Sequence, residues 1–176
     1  MIAVRPATLA DVPVLRELLA RVAAEPPDDR HVPIEPDEVH LLLAGFEQML
    51  GKPGNAPCCM LLALAPDTQQ PIGWVTMRGA DRARIRHQAV LGISVDRDYR
   101  GRGIGRALMA AAIAWARDVR LDRIELRVMT RNRAGVALYE KMGFEHEGII
   151  RAGIRIGDTL HDDHVMGLLL RYDLVS

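Results

Sequence analysis

The chain has 176 residues, 49% of them hydrophobic, and its 23 basic and 23 acidic side chains cancel. That length suits one domain around one core, taken here as residues 1–176, and is short for two. Balanced charge with few aromatics excludes a whole-surface attraction to nucleic acid or to an anionic membrane, so any anion must be caught locally. No apolar run is long enough to span a membrane, and no charged-then-apolar leader opens the chain, so a cytoplasmic location is expected. Cys58 and Cys59 are adjacent. On a strand they point to opposite faces, cannot pair in ordinary disulfide geometry, and read as two small hydrophobes in a reducing compartment.

Ile2 to Pro6 reads as a short strand ended by proline. Thr8 and Asp11 have capping-box spacing, and Val12, Leu15, Leu18, Leu19 and Val22 follow with helical period. Pro26-Pro27-Asp28-Asp29 breaks that helix, and a second starts near Pro36 with Val39, Leu42, Leu43, Phe46 and Leu50 on one face. Gly51 to Asn55 is a loop. Strands are expected at Cys58 to Ala65, Ile72 to Arg78 and Ala89 to Val95, with a polar link from Gly79 to Arg86. A helix then runs to about Val119, with Leu108, Ala111, Ala112 and Trp115 inward. Ile124 to Met129 is a strand, Asn132 caps a short helix through Met142, and Gly143 stands at its C′ position. Two more strands, about Gly148 to Ile156 and His161 to Leu170, flank a Gly157-Asp158 turn. Strands that do not alternate strictly with helices indicate a mixed α+β domain instead of a doubly wound sheet.

The most informative stretch runs from Val95 to Ala107, where a strand ends and a helix begins across Arg100-Gly101-Arg102-Gly103-Ile104-Gly105-Arg106. A helix N-terminus offers unpaired amides and partial positive charge. Glycines let a diphosphate approach the backbone, and three arginines add charge to the rim. A P-loop is excluded because Gly105 is followed by Arg106-Ala107 where Lys-Ser/Thr is required. A dinucleotide fingerprint is excluded because its third glycine would fall on Arg106.

Arg100 to Gly105 resembles the Gln/Arg-x-x-Gly-x-Gly/Ala signature of the GCN5-related N-acetyltransferases (GNAT). Asn132 to Phe144 resembles the same family's Asn-x-x-Ala-x-x-Leu-Tyr-x-x-x-Gly-Phe segment, with Ala134 one place from the usual alanine. The resemblance covers nearly the whole chain and is weakest from Pro26 to Pro57. It implies a mixed, mostly antiparallel sheet of about six to seven strands flanked by helices. It also implies acetyl-CoA as cosubstrate, with direct transfer of acetyl to a primary amine in a ternary complex. The closing pattern is most similar to bacterial members acting on amino acids or small amines.

By the same resemblance, the backbones of Ile93, Ser94 and Val95 would run beside the pantetheine arm, with the Val95 amide facing the thioester oxygen. The amides of Arg100, Gly101, Arg102, Gly103, Ile104, Gly105 and Arg106 would hold the pyrophosphate, and Asn132 would bond the coenzyme, cap its helix, or do both. Tyr139 would protonate the departing thiolate. The base is open. The family's two glutamate positions fall at about Ala89 and at Arg127, so His87 is the candidate relay, with Glu125 and Glu47 behind it. His161-Asp162-Asp163-His164 would face both sides of a strand, which excludes a shared metal and leaves those acidic groups to shape the amine pocket. A small-molecule amine is therefore the expected partner, with no nucleic acid and no membrane, and a homodimer is left open. The rivals are acetylation of a protein N-terminus or lysine, and a non-enzymatic acyl-CoA-binding module.

Overall fold

The computed structural model describes residues 2–26, 34–51 and 56–171. The proline break at Pro27-Asp28-Asp29 and the loop from Lys52 to Asn55 lie outside them. After β1 (Ala3–Pro6), Asp11 closes the expected box. Its Oδ2 accepts from the Thr8 amide at 2.8 Å and the Thr8 hydroxyl at 3.0 Å, while its carboxylate takes two bonds from Arg5. That pairing holds the Asp11 carboxyl far below the usual carboxylate range, with the Arg5 hydrogen bond as the largest cause. Helices α1 (Val12–Ala23) and α2 (Val39–Gly51) follow, α2 entered through a turn that begins at Pro36.

Next come β2 (Cys58–Leu64), β3 (Pro71–Gly79) and β4 (Gln88–Val95), then α3 (Ile104–Asp118), β5 (Arg123–Met129), α4 (Arg133–Lys141), β6 (Glu145–Ile156) and β7 (Thr159–Leu169). The strands form one seven-stranded sheet in the order β1-β2-β3-β4-β5-β7-β6. Every neighbouring pair is antiparallel except β4 and β5. The α+β class is thus as expected. β6 starts earlier than the sequence suggests, at Glu145, and shifts register against β7 twice, between His146 and Gly148 and between Ile150 and Ile154. No helix among the described residues is long and apolar enough to cross a membrane.

Two apolar layers sandwich the sheet. On one face α3 sets Leu108, Met109 and Ala112 against Val75, Met77 and Leu91, with Tyr139 of α4 at the margin. On the other, α1 and α2 set Leu15, Leu18, Leu19 and Phe46 against Leu62 and Trp74. Each such side chain removed from water contributes about 1.5–3 kcal/mol. The period-two alternation assigns β4 accordingly. Ala89 and Leu91 face α3, whereas Val90, Gly92 and Ser94 pair with Arg78, Thr76 and Trp74 on the opposite face.

The sheet opens between β4 and β5. They pair only from Gln88 with Arg123 to Leu91 with Leu126. Beyond that, β4 stays with β3 as far as Val95, and β5 stays with β7 as far as Met129.

Candidate active site

The free edge of β4 in this opening can be read from its hydrogen bonds. The Asp96 amide donates to Ile72 O at 2.9 Å, and antiparallel pairs alternate between bonded and non-bonded. Trp74 and Ser94 are therefore a bonded pair, while Ile93 and Val95 turn their backbone groups away from β3, toward the gap. Ser94 is 4% exposed, and its hydroxyl has no partner among the described residues.

The glycine loop closes over the end of this edge. Asp96 caps a short turn through the Asp98 amide, Gly101 has φ +74, and Gly103, at φ +80, is the N-cap of α3. Both conformations disfavour any residue with a Cβ, and a Cβ at either position would meet no protein atom within 4 Å. The space above these two glycines is therefore open to a ligand. Gly105 has a different reason. A Cβ there would lie 3.0 Å from Leu138 of α4, so this glycine lets α3 and α4 approach.

A cavity of about 310 Å³ results. The backbone of β4 from Ile93 to Val95 forms one wall, the loop and first turn of α3 a second, and α4 with its Asn132 cap a third. Of the twelve residues expected around the coenzyme, this cavity gathers all but Arg102. Arg102 turns outward, its Nη2 donating to Asp98 O at 2.9 Å and its guanidinium lying 5.3 Å from the Tyr99 ring centroid. Arg100 corrects the expectation of a three-arginine rim. Its Nε donates to Val95 O at 3.0 Å, and its Nη2 binds both oxygens of Glu25, at 2.6 and 2.8 Å. Glu25 is buried just beyond α1, and Arg21 on α1 likewise holds Asp96 at 2.9 Å. The Arg100 side chain thus ties the loop to α1, and Arg106 supplies the cavity's exposed cation.

Asn132 is 7% exposed and caps α4, its Oδ1 accepting from the Gly135 amide at 2.9 Å. A Cβ on Gly135 would come within 2.6 Å of the Asn132 side chain, so the cap lies close against this glycine. Tyr139 lines the same cavity at 7% exposure, its ring tilted against Phe144 with centroids 6.1 Å apart. Burial pushes its phenol up to about 12, so it stays protonated at neutral pH.

A second cavity, of about 500 Å³, lies across β4 under α2. Leu41, Leu42 and Phe46 of α2 face Trp74, Thr76 and Arg78 of β3 and Val90 of β4. Ile93 borders both cavities, so they meet where β4 leaves β5. In the sequence, Phe46 falls on one face of a helix and Trp74 within a strand. The usable signal was Arg78, a cation on the same strand face as Trp74 and Thr76.

Other candidates lie elsewhere. His87 precedes β4, is exposed, and borders a separate recess with Pro57, Val119 and Leu121. The parity that places it with Ala89 directs it to the α3 face, away from the second cavity. Glu125 pairs with Arg123 at 3.3 Å, and Glu47 is exposed on the outer side of α2. His161 to His164 sit on β7 and border neither cavity. Asp162 accepts from the Ala152 amide at 2.7 Å, and Asp163 is buried with its pKa raised, chiefly by that burial. Cys59 on β2 is pushed up to about 12 by burial, and Cys58 is raised for the same reason. Neither is a ready nucleophile.

An open mixed sheet with a glycine-loop cavity on one side of the fork and an apolar pocket on the other has the architecture of a two-substrate group-transfer site. The Acetyltransferase (GNAT) family model matches residues 19–144. An L-amino acid N-acetyltransferase of Escherichia coli is 40% identical over 78 residues, covering 44% of this chain and 48% of that protein. The chain therefore spans about half the length of that relative in the match. The alanine N-acetyltransferase of ribosomal protein uS5 from the same organism is 30% identical over 157 residues, 83% of this chain and 79% of that one. A GNAT-family acetyltransferase of known structure from Streptococcus pneumoniae superposes with a TM-score of 0.81 at 29% identity, over 97% of this chain and 100% of that one. The chain belongs to the GNAT acetyltransferase family.

Proposed function

We propose that the protein transfers acetyl from acetyl-CoA to the primary amine of a small molecule by direct attack across the fork. The observation that carries this is the meeting of two cavities of different character at Ile93. The glycine-loop cavity fits the coenzyme. Gly101 and Gly103 leave open backbone, Arg106 offers a cation, and the β4 edge beyond Leu91 turns the backbone of Ile93 and Val95 toward the gap where a pantetheine arm would lie. Acetyl-CoA supplies an activated thioester. The amide of Val95 supplies a donor for the oxygen that becomes negative when an amine attacks, one such donor contributing about 3–4 kcal/mol to the transition state. The protonated Tyr139 phenol donates to the departing sulfur from the coenzyme side. On the acceptor side, Glu38 is the carboxylate among the described lining residues and attracts the incoming ammonium. The raised thiols of Cys58 and Cys59, on β2, favour a route without an acyl-enzyme.

A second reading is favoured by the relative with the long match, whose name is that of an alanine N-acetyltransferase of a ribosomal protein. In that case the pocket under α2 would admit a peptide end. Thiol release from acetyl-CoA, followed over a panel of amino acids, simple amines and N-terminal peptides, tests the proposal. Turnover with small amines supports it, turnover only with peptides selects the second reading, and coenzyme binding without turnover on any amine overturns both.

A further inference from the structure

Arg78 stands out in the acceptor pocket. The pocket is walled by apolar side chains, among them Phe46, Trp74 and the exposed Leu41 and Val90, at 62% and 52% exposure. A folded chain gains nothing from leaving such groups facing one another across water, but a bound apolar group covers them. Arg78 lies among them, and no carboxylate of the described residues forms a salt bridge with it. Its head reaches across to α2, where a Cβ built on Gly45 would meet Arg78 Nη2 at 3.8 Å. Glu38 lines the same pocket and accepts from the Glu35 amide at 3.3 Å, within its own turn. Arg78 pairs with Val90, three residues from Ile93, or about 10 Å along the strand.

We infer that the acceptor is a free α-amino acid with an apolar side chain, and that Arg78 is the residue that selects it by binding its carboxylate. This rests on the transferase proposal and narrows its substrate class. A guanidinium fork matches a carboxylate with two parallel hydrogen bonds, whereas a lone amine or an amide offers it no negative charge. The apolar walls take the side chain, and the amine is left pointing along β4 toward Ile93. A protein N-terminus, whose α-carboxyl is a peptide bond, leaves Arg78 without a partner.

The test compares L-phenylalanine, L-phenylalaninamide and phenethylamine with the wild type, Arg78→Gln and Arg78→Lys, each first checked for unchanged melting temperature. Kinetics are read as kcat and KM separately, and calorimetry measures L-phenylalanine binding in the presence of coenzyme A. The expected wild type prefers the free acid at least tenfold in kcat/KM. Arg78→Gln should raise KM and Kd for L-phenylalanine about 10- to 100-fold, the worth of one charged hydrogen-bonded contact. It should leave turnover of the amide and the amine within twofold, and Arg78→Lys should recover part of the loss. Equal use of acid and amide, or indifference of L-phenylalanine to Arg78→Gln, overturns the inference while leaving the transferase proposal standing. Absence of transfer to all three, with coenzyme bound, overturns both.

Discussion

Replacing Tyr139 by phenylalanine separates its packing from the catalytic role proposed for it. Its ring is part of the α3-side core and packs against Phe144, contacts that phenylalanine keeps, so the melting temperature should stay within a few degrees. The hydroxyl is what changes. With the phenol pushed up to about 12 and a free thiol near 8.5, complete proton transfer to the leaving sulfur is uphill by about 3.5 units, roughly 5 kcal/mol. In the proposed transfer Tyr139 would therefore act mainly by donating a hydrogen bond to the developing thiolate. A charged hydrogen bond of about 1.5–3 kcal/mol corresponds to about a 10- to 150-fold loss of kcat. The assay is thiol release at saturating acetyl-CoA, where KM for the coenzyme should move less than threefold. Alkaline stability gives a second readout. The phenol is protonated in both folded and unfolded chains below pH 10. As pH rises from 10 to about 12 the unfolded chain releases this proton first, so stability falls by about 3 kcal/mol through this group alone. The Tyr139→Phe protein should lack that increment. Near-normal turnover of the variant on a good amine would show that water protonates the sulfur and that Tyr139 only packs.

Gly103→Ala puts a Cβ at φ +80, a strain of about 1–2 kcal/mol, and fills space kept open over the loop. Coenzyme A affinity by calorimetry should fall at least tenfold in a variant that still folds, and unchanged affinity would remove the loop from the site. Glu25→Gln leaves the Arg100 guanidinium without its carboxylate, costing about 2 kcal/mol or some 4–8 °C in melting temperature. It should also raise KM for acetyl-CoA, and no change in either would mean that the tie does not hold the loop. Cys58→Ala together with Cys59→Ala should retain most of the activity, and alkylation of Cys59 near pH 8 should be slow because its thiol is raised to about 12. Abolished turnover in that double variant, if folded, would contradict direct transfer.

What was legible in the sequence is what local chemistry dictates. The apolar period of α1, the Thr8–Asp11 box, the Asn132 cap and the glycines at the start of α3 each announce themselves within a few residues. The glycine-loop cavity follows from two such local motifs. What was not legible depends on distant partners. Arg100 lies 75 residues from Glu25, and nothing in its neighbourhood shows that its side chain is turned inward. His87 and Ala89 share a strand parity, but parity alone does not tell which face carries the pocket, and β3 with α2 decides that it is the other one. The pocket under α2 is not visible in the sequence because Phe46 and Trp74 serve as core and wall at once, and only the packing of α2 on β3 distinguishes the roles. The β6 register shifts come from its bulged pairing with β7, which period-two alternation does not foresee.

Initial rates over a grid of acetyl-CoA and amine concentrations test most directly whether the two cavities hold both substrates at once. Direct transfer predicts double-reciprocal lines that intersect, and intact-protein mass spectrometry after incubation with acetyl-CoA alone should find the chain unmodified. Parallel lines, with an acetyl group recovered on a side chain that a later amine removes, would contradict transfer across Ile93 in a ternary complex.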